Sequence, residues 1–148
     1  MNKLYLFFLI GICLSCTTND KQKQFSLVSQ EESGITFSNN LKPTDKVNIL
    51  DYLYFYNGGG VAIGDINNDG LQDIYFTGNQ TNNKLYLNKG KFQFEDITIT
   101  SKTKGSSQWN TGVTMADVNG DGLLDIYVCA VTEICGLKGK NELFINNG

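Results

Sequence analysis

The chain has 148 residues, of which 41% are hydrophobic and 11% aromatic, a composition typical of a folded protein. Its 12 basic residues are all lysine and it has no histidine, which excludes histidine-based catalysis, histidine-ligated zinc and bidentate arginine clamps within this segment. We therefore expect no enzyme in these residues. The formal charge is −3 and no basic stripe is interleaved with aromatic residues, so nucleic acid is a poor candidate partner.

The amino terminus has the pattern of an export signal. Lys3 precedes an apolar run, residues 4–14, that is too short to span a bilayer as a helix. The tetrad Cys13-Leu14-Ser15-Cys16 resembles a bacterial lipobox, in which the cysteine after the cleavage point carries the lipid. We expect a lipoprotein signal peptide at residues 1–15, lipidation at Cys16 and a polar tether at residues 16–24. Ordinary signal cleavage or an uncleaved anchor is the alternative.

A duplicated motif follows a lead-in segment, residues 25–56. Residues 60–77 read GVAIGDINNDGLQDIYFT and residues 112–129 read GVTMADVNGDGLLDIYVC, with 10 identities in 18 positions at an offset of 52. The elements at residues 83–90 and 141–148 repeat at an offset of 58, so the second copy carries six additional residues between Asp125 and Asn141. In the first copy, β-branched and aromatic runs predict strands at residues 61–66, 74–77, 85–87 and 92–97. Four short strands per repeat are typical of a propeller blade.

Each copy contains a loop of the form DxNxDGxxD. Calcium binds six to eight oxygens, and a tight loop with carboxylates at alternate positions directs such oxygens to one point. The spacing follows an EF-hand up to position 9, but position 12 is Phe76 in one copy and Val128 in the other, where an EF-hand has a bidentate Glu. The alternative is a polar turn in which the side chains cap their own backbone. The predicted ligands are Asp65, Asn67, Asp69, the Leu71 carbonyl and Asp73 in the first loop, and Asp117, Asn119, Asp121, the Leu123 carbonyl and Asp125 in the second.

With these loops and the LYLNKG element at residues 85–90, the chain resembles FG-GAP/VCBS repeat proteins, the integrin-α-like β-propellers, over residues 57–148. The stretches 33–37 and 52–60 resemble the start of this fold in exported lipoproteins of Bacteroidetes-type bacteria. The resemblance implies structural calcium sites in a hairpin between two strands of a blade, and a propeller that acts as a recognition platform. It does not imply a particular ligand.

These observations predict an all-β fold, made of β-propeller blades of about four antiparallel strands in an incomplete propeller. We expect a first blade at residues 57–110 and a second at residues 111–148 that stops before its last strand, in the amino-terminal part of a longer protein. The expected function is a calcium-stabilised recognition or adhesion module on an exported cell-envelope lipoprotein of the outer membrane. Its partner would be an extracellular or periplasmic protein or glycan. The alternative is the non-catalytic part of a larger enzyme or polysaccharide-uptake protein, with the active domain beyond residue 148.

Cysteine and aromatic residues supply two further predictions. Cys129 and Cys135 lie in the exported part, where oxidation is permitted, so a disulfide between them is one possibility and two unpaired cysteines the other. The aromatic residues of the run 52–56, together with Trp109, are candidate ligand contacts. Because most aromatic residues of propellers pack between blades, we expect them to belong to the core.

Overall fold

The computed structural model describes residues 24–148, so the predicted signal peptide, the lipidation at Cys16 and all of the tether except Gln24 lie outside the described residues. Within that range the chain forms seven strands and one helix of four residues, which confirms the all-β prediction. No helix of this part is long and apolar enough to cross a bilayer. The elements are α1 (Gln30–Ser33), β1 (Val61–Gly64), β2 (Asp73–Phe76), β3 (Lys84–Asn88), β4 (Phe94–Asp96), β5 (Asn110–Ala116), β6 (Asp125–Ala130) and β7 (Glu142–Phe144).

The strands form two antiparallel sheets, each a simple up-and-down arrangement. The first has the order β1-β2-β3-β4 and the second the order β5-β6-β7, an arrangement compatible with an incomplete propeller. Two predicted strands are shorter than expected. β1 ends at Gly64 because the loop begins at Asp65, and β4 begins at Phe94 because Lys91 and Phe92 adopt left-handed backbone angles in the preceding turn (φ 53° and 61°).

The two sheets pack face to face through a small apolar core. Tyr75 and Leu85 from the first sheet contact Ile126 and Val128 from the second, and all four side chains are buried. Burying a side chain of this size contributes about 1.5–3 kcal/mol. The hydroxyl of Tyr75 donates to the Thr103 carbonyl O at 2.6 Å, and burial raises the pKa of Tyr75. A buried phenol therefore keeps a hydrogen-bond partner in this core.

Glycine allows the first strands of the two sheets to approach each other. A Cβ at Gly60 would lie 2.7 Å from the carbonyl O of Thr111, and a Cβ at Gly64 would lie 2.7 Å from Leu124 Cδ1. At Gly112, the repeat equivalent of Gly60, a Cβ would meet nothing within 4 Å. The same repeat position is therefore crowded in one sheet and open in the other.

A second core cluster joins the lead-in segment to the loop after β6. Tyr52, Phe55 and Trp109 are buried there with Leu137, which confirms that these three aromatic residues belong to the core. Two others in the same run do not, since Tyr54 is 62% and Tyr56 63% exposed.

The disulfide considered from the sequence is not formed in this structure. Cys129 and Cys135 are both free, and the Sγ of Cys135 instead donates to the carbonyl O of Asp51 at 3.3 Å. This thiol thereby helps to hold the loop after β6 against the lead-in segment.

Candidate functional site

The two acidic loops occupy equivalent places in the fold. The first connects β1 to β2 and the second connects β5 to β6, so each closes a hairpin as expected. Gly70 and Gly122 have φ of 85°, a conformation that costs other residues energy because of their Cβ. Position 4 is also left-handed in both loops, as Asn68 with φ 58° and as Gly120 with φ 80°. The Gly at position 6 is thus explained by backbone geometry.

In the first loop, the polar side chains turn inward onto the loop backbone. The carboxylate of Asp65 accepts hydrogen bonds from the N–H groups of Asp69 at 3.1 Å and Gly70 at 2.7 Å. The amide of Asn67 donates to Asp69 Oδ2 at 2.9 Å, and the N–H of Leu71 donates to Asp69 Oδ1 at 2.8 Å. The hydrogen bond from Asn67, followed by that from Leu71, lowers the pKa of Asp69. Positions 1, 3 and 5 are therefore brought together.

The second loop repeats this arrangement. The carboxylate of Asp117 accepts from the N–H groups of Asp121 at 3.2 Å and Gly122 at 2.9 Å, the equivalents of Asp69 and Gly70. It also accepts from the N–H of Gly120 at 2.7 Å, and the bond from Gly122 is the main cause that lowers the pKa of Asp117. The amide of Asn119 donates to Asp121 Oδ2 at 2.8 Å, and the N–H of Leu123 donates to Asp121 Oδ1 at 2.9 Å. Two loops separated by 52 residues thus have the same local geometry.

The carboxylates at position 9, Asp73 and Asp125, differ from the others because they are buried at the base of each loop. Asp73 accepts hydrogen bonds from the N–H groups of Ile66 at 2.9 Å and Asn88 at 2.7 Å. Burial raises the pKa of Asp73 despite these bonds, and the charges of Asp69 and Asp65 raise it further. This carboxylate therefore ties the loop to the end of β3.

Asp125 makes the equivalent contacts in the second sheet. It accepts from the N–H of Val118 at 3.0 Å and from the N–H of Asn146 at 2.8 Å. Asn88 and Asn146 were not among the residues predicted for the site. The signal for them was present, since both occupy the Asn position of the repeated element LYLNKG and LFINNG.

The donor chemistry of each loop fits a calcium ion. Carboxylate and amide oxygens from three alternate positions lie on one turn, and the position-9 carboxylate retains lone pairs beyond its two N–H partners. Within residues 24–148, however, no three Asp, Glu, Cys or His side chains are gathered into a group that could hold a metal ion. Calcium binding at these loops therefore stays a prediction.

The two loops also contact each other. The side-chain amide of Asn68 donates to the carbonyl O of Gly122 at 3.3 Å. The amide of Asn146 donates to the carbonyl O of Ile66 at 2.7 Å and to that of Leu124 at 3.3 Å. Asn146 thus links the end of β7 to both loops through its side chain and its backbone.

Comparison with known proteins finds one family model that is similar to part of the chain. Residues 65–128, which run from the first loop to the middle of β6, match the model of the FG-GAP-like repeat. This match supports the resemblance to the FG-GAP family that the sequence motifs predict. The match includes both acidic loops, so the duplicated motif and the family match coincide.

Two relatives are similar to a larger part of the chain. Cartilage acidic protein 1 of Xenopus tropicalis is 32% identical over 102 residues, covering 68% of this chain and 16% of the relative. Integrin alpha-8 of Gallus gallus is 33% identical over 107 residues, covering 63% of this chain and 10% of the relative. The similarity to the integrin also supports the resemblance to the FG-GAP family. The chain spans only a small part of the length of either relative.

Proposed function

We propose that this chain is a calcium-stabilised recognition or adhesion module built from FG-GAP-like β-propeller blades. FG-GAP repeats are found in integrin alpha β-propellers, which supports a role in adhesion or recognition. The observation that carries the calcium proposal is the duplication: both loops bring the same side chains together by the same hydrogen bonds. A polar turn that only capped its own backbone would not need the same acidic residues at all three Asp positions in both copies.

The proposed role of the metal is structural. In the first loop it would be held by Asp65, Asn67, Asp69, the Leu71 carbonyl and Asp73, and in the second by Asp117, Asn119, Asp121, the Leu123 carbonyl and Asp125. When bound, calcium would supply positive charge that offsets the repulsion among three carboxylates in each loop. The chain itself supplies the fixed turn at position 6 and the buried anchor at position 9. Sensor proteins instead use a pair of helices that opens, and no such pair flanks these loops in the described structure.

The proposal includes attachment to the cell envelope through a lipid on Cys16, with the propeller directed at an extracellular or periplasmic protein or glycan. Metabolic labelling with a radioactive fatty acid tests the attachment. Wild-type protein should incorporate label and Cys16→Ser should not. Label that persists in Cys16→Ser would contradict the assignment of this cysteine.

Thermal melting of the full chain tests the calcium proposal. Adding calcium should raise the melting temperature and a chelator should reverse the rise, because a ligand that binds only the folded state stabilises it. Asp69→Ala and Asp121→Ala should each reduce the calcium-dependent rise. Asp45→Ala removes an exposed carboxylate outside the loops and serves as the control. A melting temperature that calcium leaves unchanged in the wild type would overturn the proposal.

A further inference from the structure

A pocket of about 380 Å³ lies at the opposite end of the sheets from the acidic loops. Its lining comes from the segment that leads into β1 and from the chain around the start of β5, and includes Tyr52, Tyr54, Asn57, Gly58, Trp109 and Thr111. The acidic loops follow the other ends of these same two strands. This volume lies within the range of about 300–1,000 Å³ that is usual for small-molecule sites.

The floor of the pocket is made of aromatic rings that pack on one another. The rings of Tyr52 and Trp109 meet edge to face, with centroids 5.5 Å apart and an interplanar angle of 83°. Phe55 supports Trp109 from a centroid distance of 5.3 Å, and these three side chains are buried. Because they already pack on one another, a ligand would not need to order them.

The rim combines one exposed aromatic ring with neutral polar groups. Tyr54 is 62% exposed and its ring lies 5.9 Å from that of Tyr52. Asn57 and Thr111 supply an amide and a hydroxyl, and the open side of Gly58 has no atom within 4 Å of where a Cβ would be. Among the described residues, none that lines this pocket carries a charge.

We propose that this pocket binds a neutral sugar ring of a glycan. The C–H face of a pyranose packs on an aromatic ring, while its hydroxyl groups need uncharged donors and acceptors of the kind found at the rim. A phosphate or a carboxylate ligand would need a positive partner, which the lining does not contain. The inference rests on the proposed recognition function, for which it names a partner class and a site.

Trp109 provides the assay because it is the only tryptophan in the chain and lines the pocket. The full chain is titrated with cellotetraose, xylotetraose, mannotetraose, galactotetraose and chitotetraose while the tryptophan emission is recorded. At least one of these neutral oligosaccharides should give a saturable change. The titrations extend to roughly 10 mM, a concentration high enough to reveal a dissociation constant in the millimolar range. If none of the oligosaccharides gives a saturable change, the proposal is overturned.

Two tyrosines make a matched pair of variants. Tyr54 lines the pocket and Tyr56 does not, yet they are 62% and 63% exposed, so neither substitution should disturb the fold. Tyr54→Ala should lower the affinity for the oligosaccharide about tenfold, the loss expected for one aromatic contact. Tyr56→Ala should bind the oligosaccharide with the affinity of the wild type. Equal affinity for the two variants would overturn the site. The tripeptide Gly-Tyr-Gly tests a peptide as the alternative ligand. Tighter binding of this tripeptide than of every oligosaccharide would also overturn the proposal.

The melting experiment separates this inference from the proposed function. If calcium raises the melting temperature but no sugar changes the emission, the pocket assignment fails and the calcium-stabilised module stands. If a sugar binds and Tyr54→Ala weakens it while calcium has no effect on melting, the sugar pocket stands and the calcium proposal fails.

Discussion

Replacing Asp73 by alanine should destabilise the fold even when no calcium is present. The carboxylate accepts two hydrogen bonds, from the N–H groups of Ile66 at 2.9 Å and Asn88 at 2.7 Å. A hydrogen bond to a charged group contributes about 1.5–3 kcal/mol, and a buried N–H left without a partner is costly. Burial of the carboxylate offsets part of this gain, as the raised pKa of Asp73 indicates. We therefore expect the free energy of unfolding to fall by roughly 2–4 kcal/mol.

Asp69 provides the comparison within the same loop. It is exposed, and its partners, the N–H of Leu71 and the amide of Asn67, can bond to water when the carboxylate is removed. Without calcium, the free energy of unfolding of Asp69→Ala should thus remain close to that of the wild type. The assay is urea unfolding in a chelator, followed by circular dichroism and by the emission of Trp109.

The second loop repeats the experiment. Asp125→Ala should be destabilised like Asp73→Ala, because the carboxylate of Asp125 accepts hydrogen bonds from the N–H groups of Val118 and Asn146 in the same way. Asp121→Ala should behave like Asp69→Ala. Equal stability of the position-5 and position-9 variants in chelator would refute the reasoning that the buried carboxylate anchors the loop independently of metal.

Three further predictions concern positions outside the anchors. Gly60→Ala should lower the free energy of unfolding by roughly 1–3 kcal/mol, since its Cβ would meet the backbone of β5, whereas Gly112→Ala should be tolerated in the same urea experiment. Asn146→Ala removes the 2.7 Å hydrogen bond to the first loop and should cost about 1 kcal/mol, with Asn147→Ala as an exposed control that leaves stability unchanged. Burial raises the pKa of Asp96, but hydrogen bonds from Lys84 and Thr98 have the larger combined effect and hold the pKa below its usual value. Asp96 therefore stabilises the fold above pH about 3.9, and the contribution is lost as pH falls through the lowered pKa. Asp96→Asn should be less stable than the wild type at neutral pH, with the difference shrinking as the pH falls through the lowered pKa of Asp96; a difference that does not shrink in acid would contradict this assignment.

The sequence was sufficient to predict the hairpins and the loops, because these depend on short-range chemistry. Left-handed backbone at Gly70 and Gly122 and alternating carboxylates are local properties of nine residues. The separate role of Asp73 could not be predicted in the same way. Its partner Asn88 lies at the end of β3, and the spacing of a motif does not say which of its carboxylates will face another strand.

The aromatic run before β1 shows the same division between local and long-range information. Tyr52 and Tyr54 are two residues apart, yet one is buried against Trp109 and the other is exposed. No regular strand covers this segment, so alternation along a strand could not assign the direction of either side chain. The contact with Trp109, more than 50 residues away, decides which ring enters the core.

The repeat itself gives the clearest case, because equivalent residues have the same sequence context and different burial. Tyr75 and Leu85 are 0% and 2% exposed, whereas their equivalents Tyr127 and Leu143 are 38% and 48% exposed. The pairing is the same in both sheets, with Tyr75 opposite Leu85 and Tyr127 opposite Leu143. The second sheet covers this face of the first sheet, and within the described residues no further sheet covers the corresponding face of the second. A repeat position therefore determines the strand and the direction of its side chain, while the neighbouring sheet determines whether that side chain is buried.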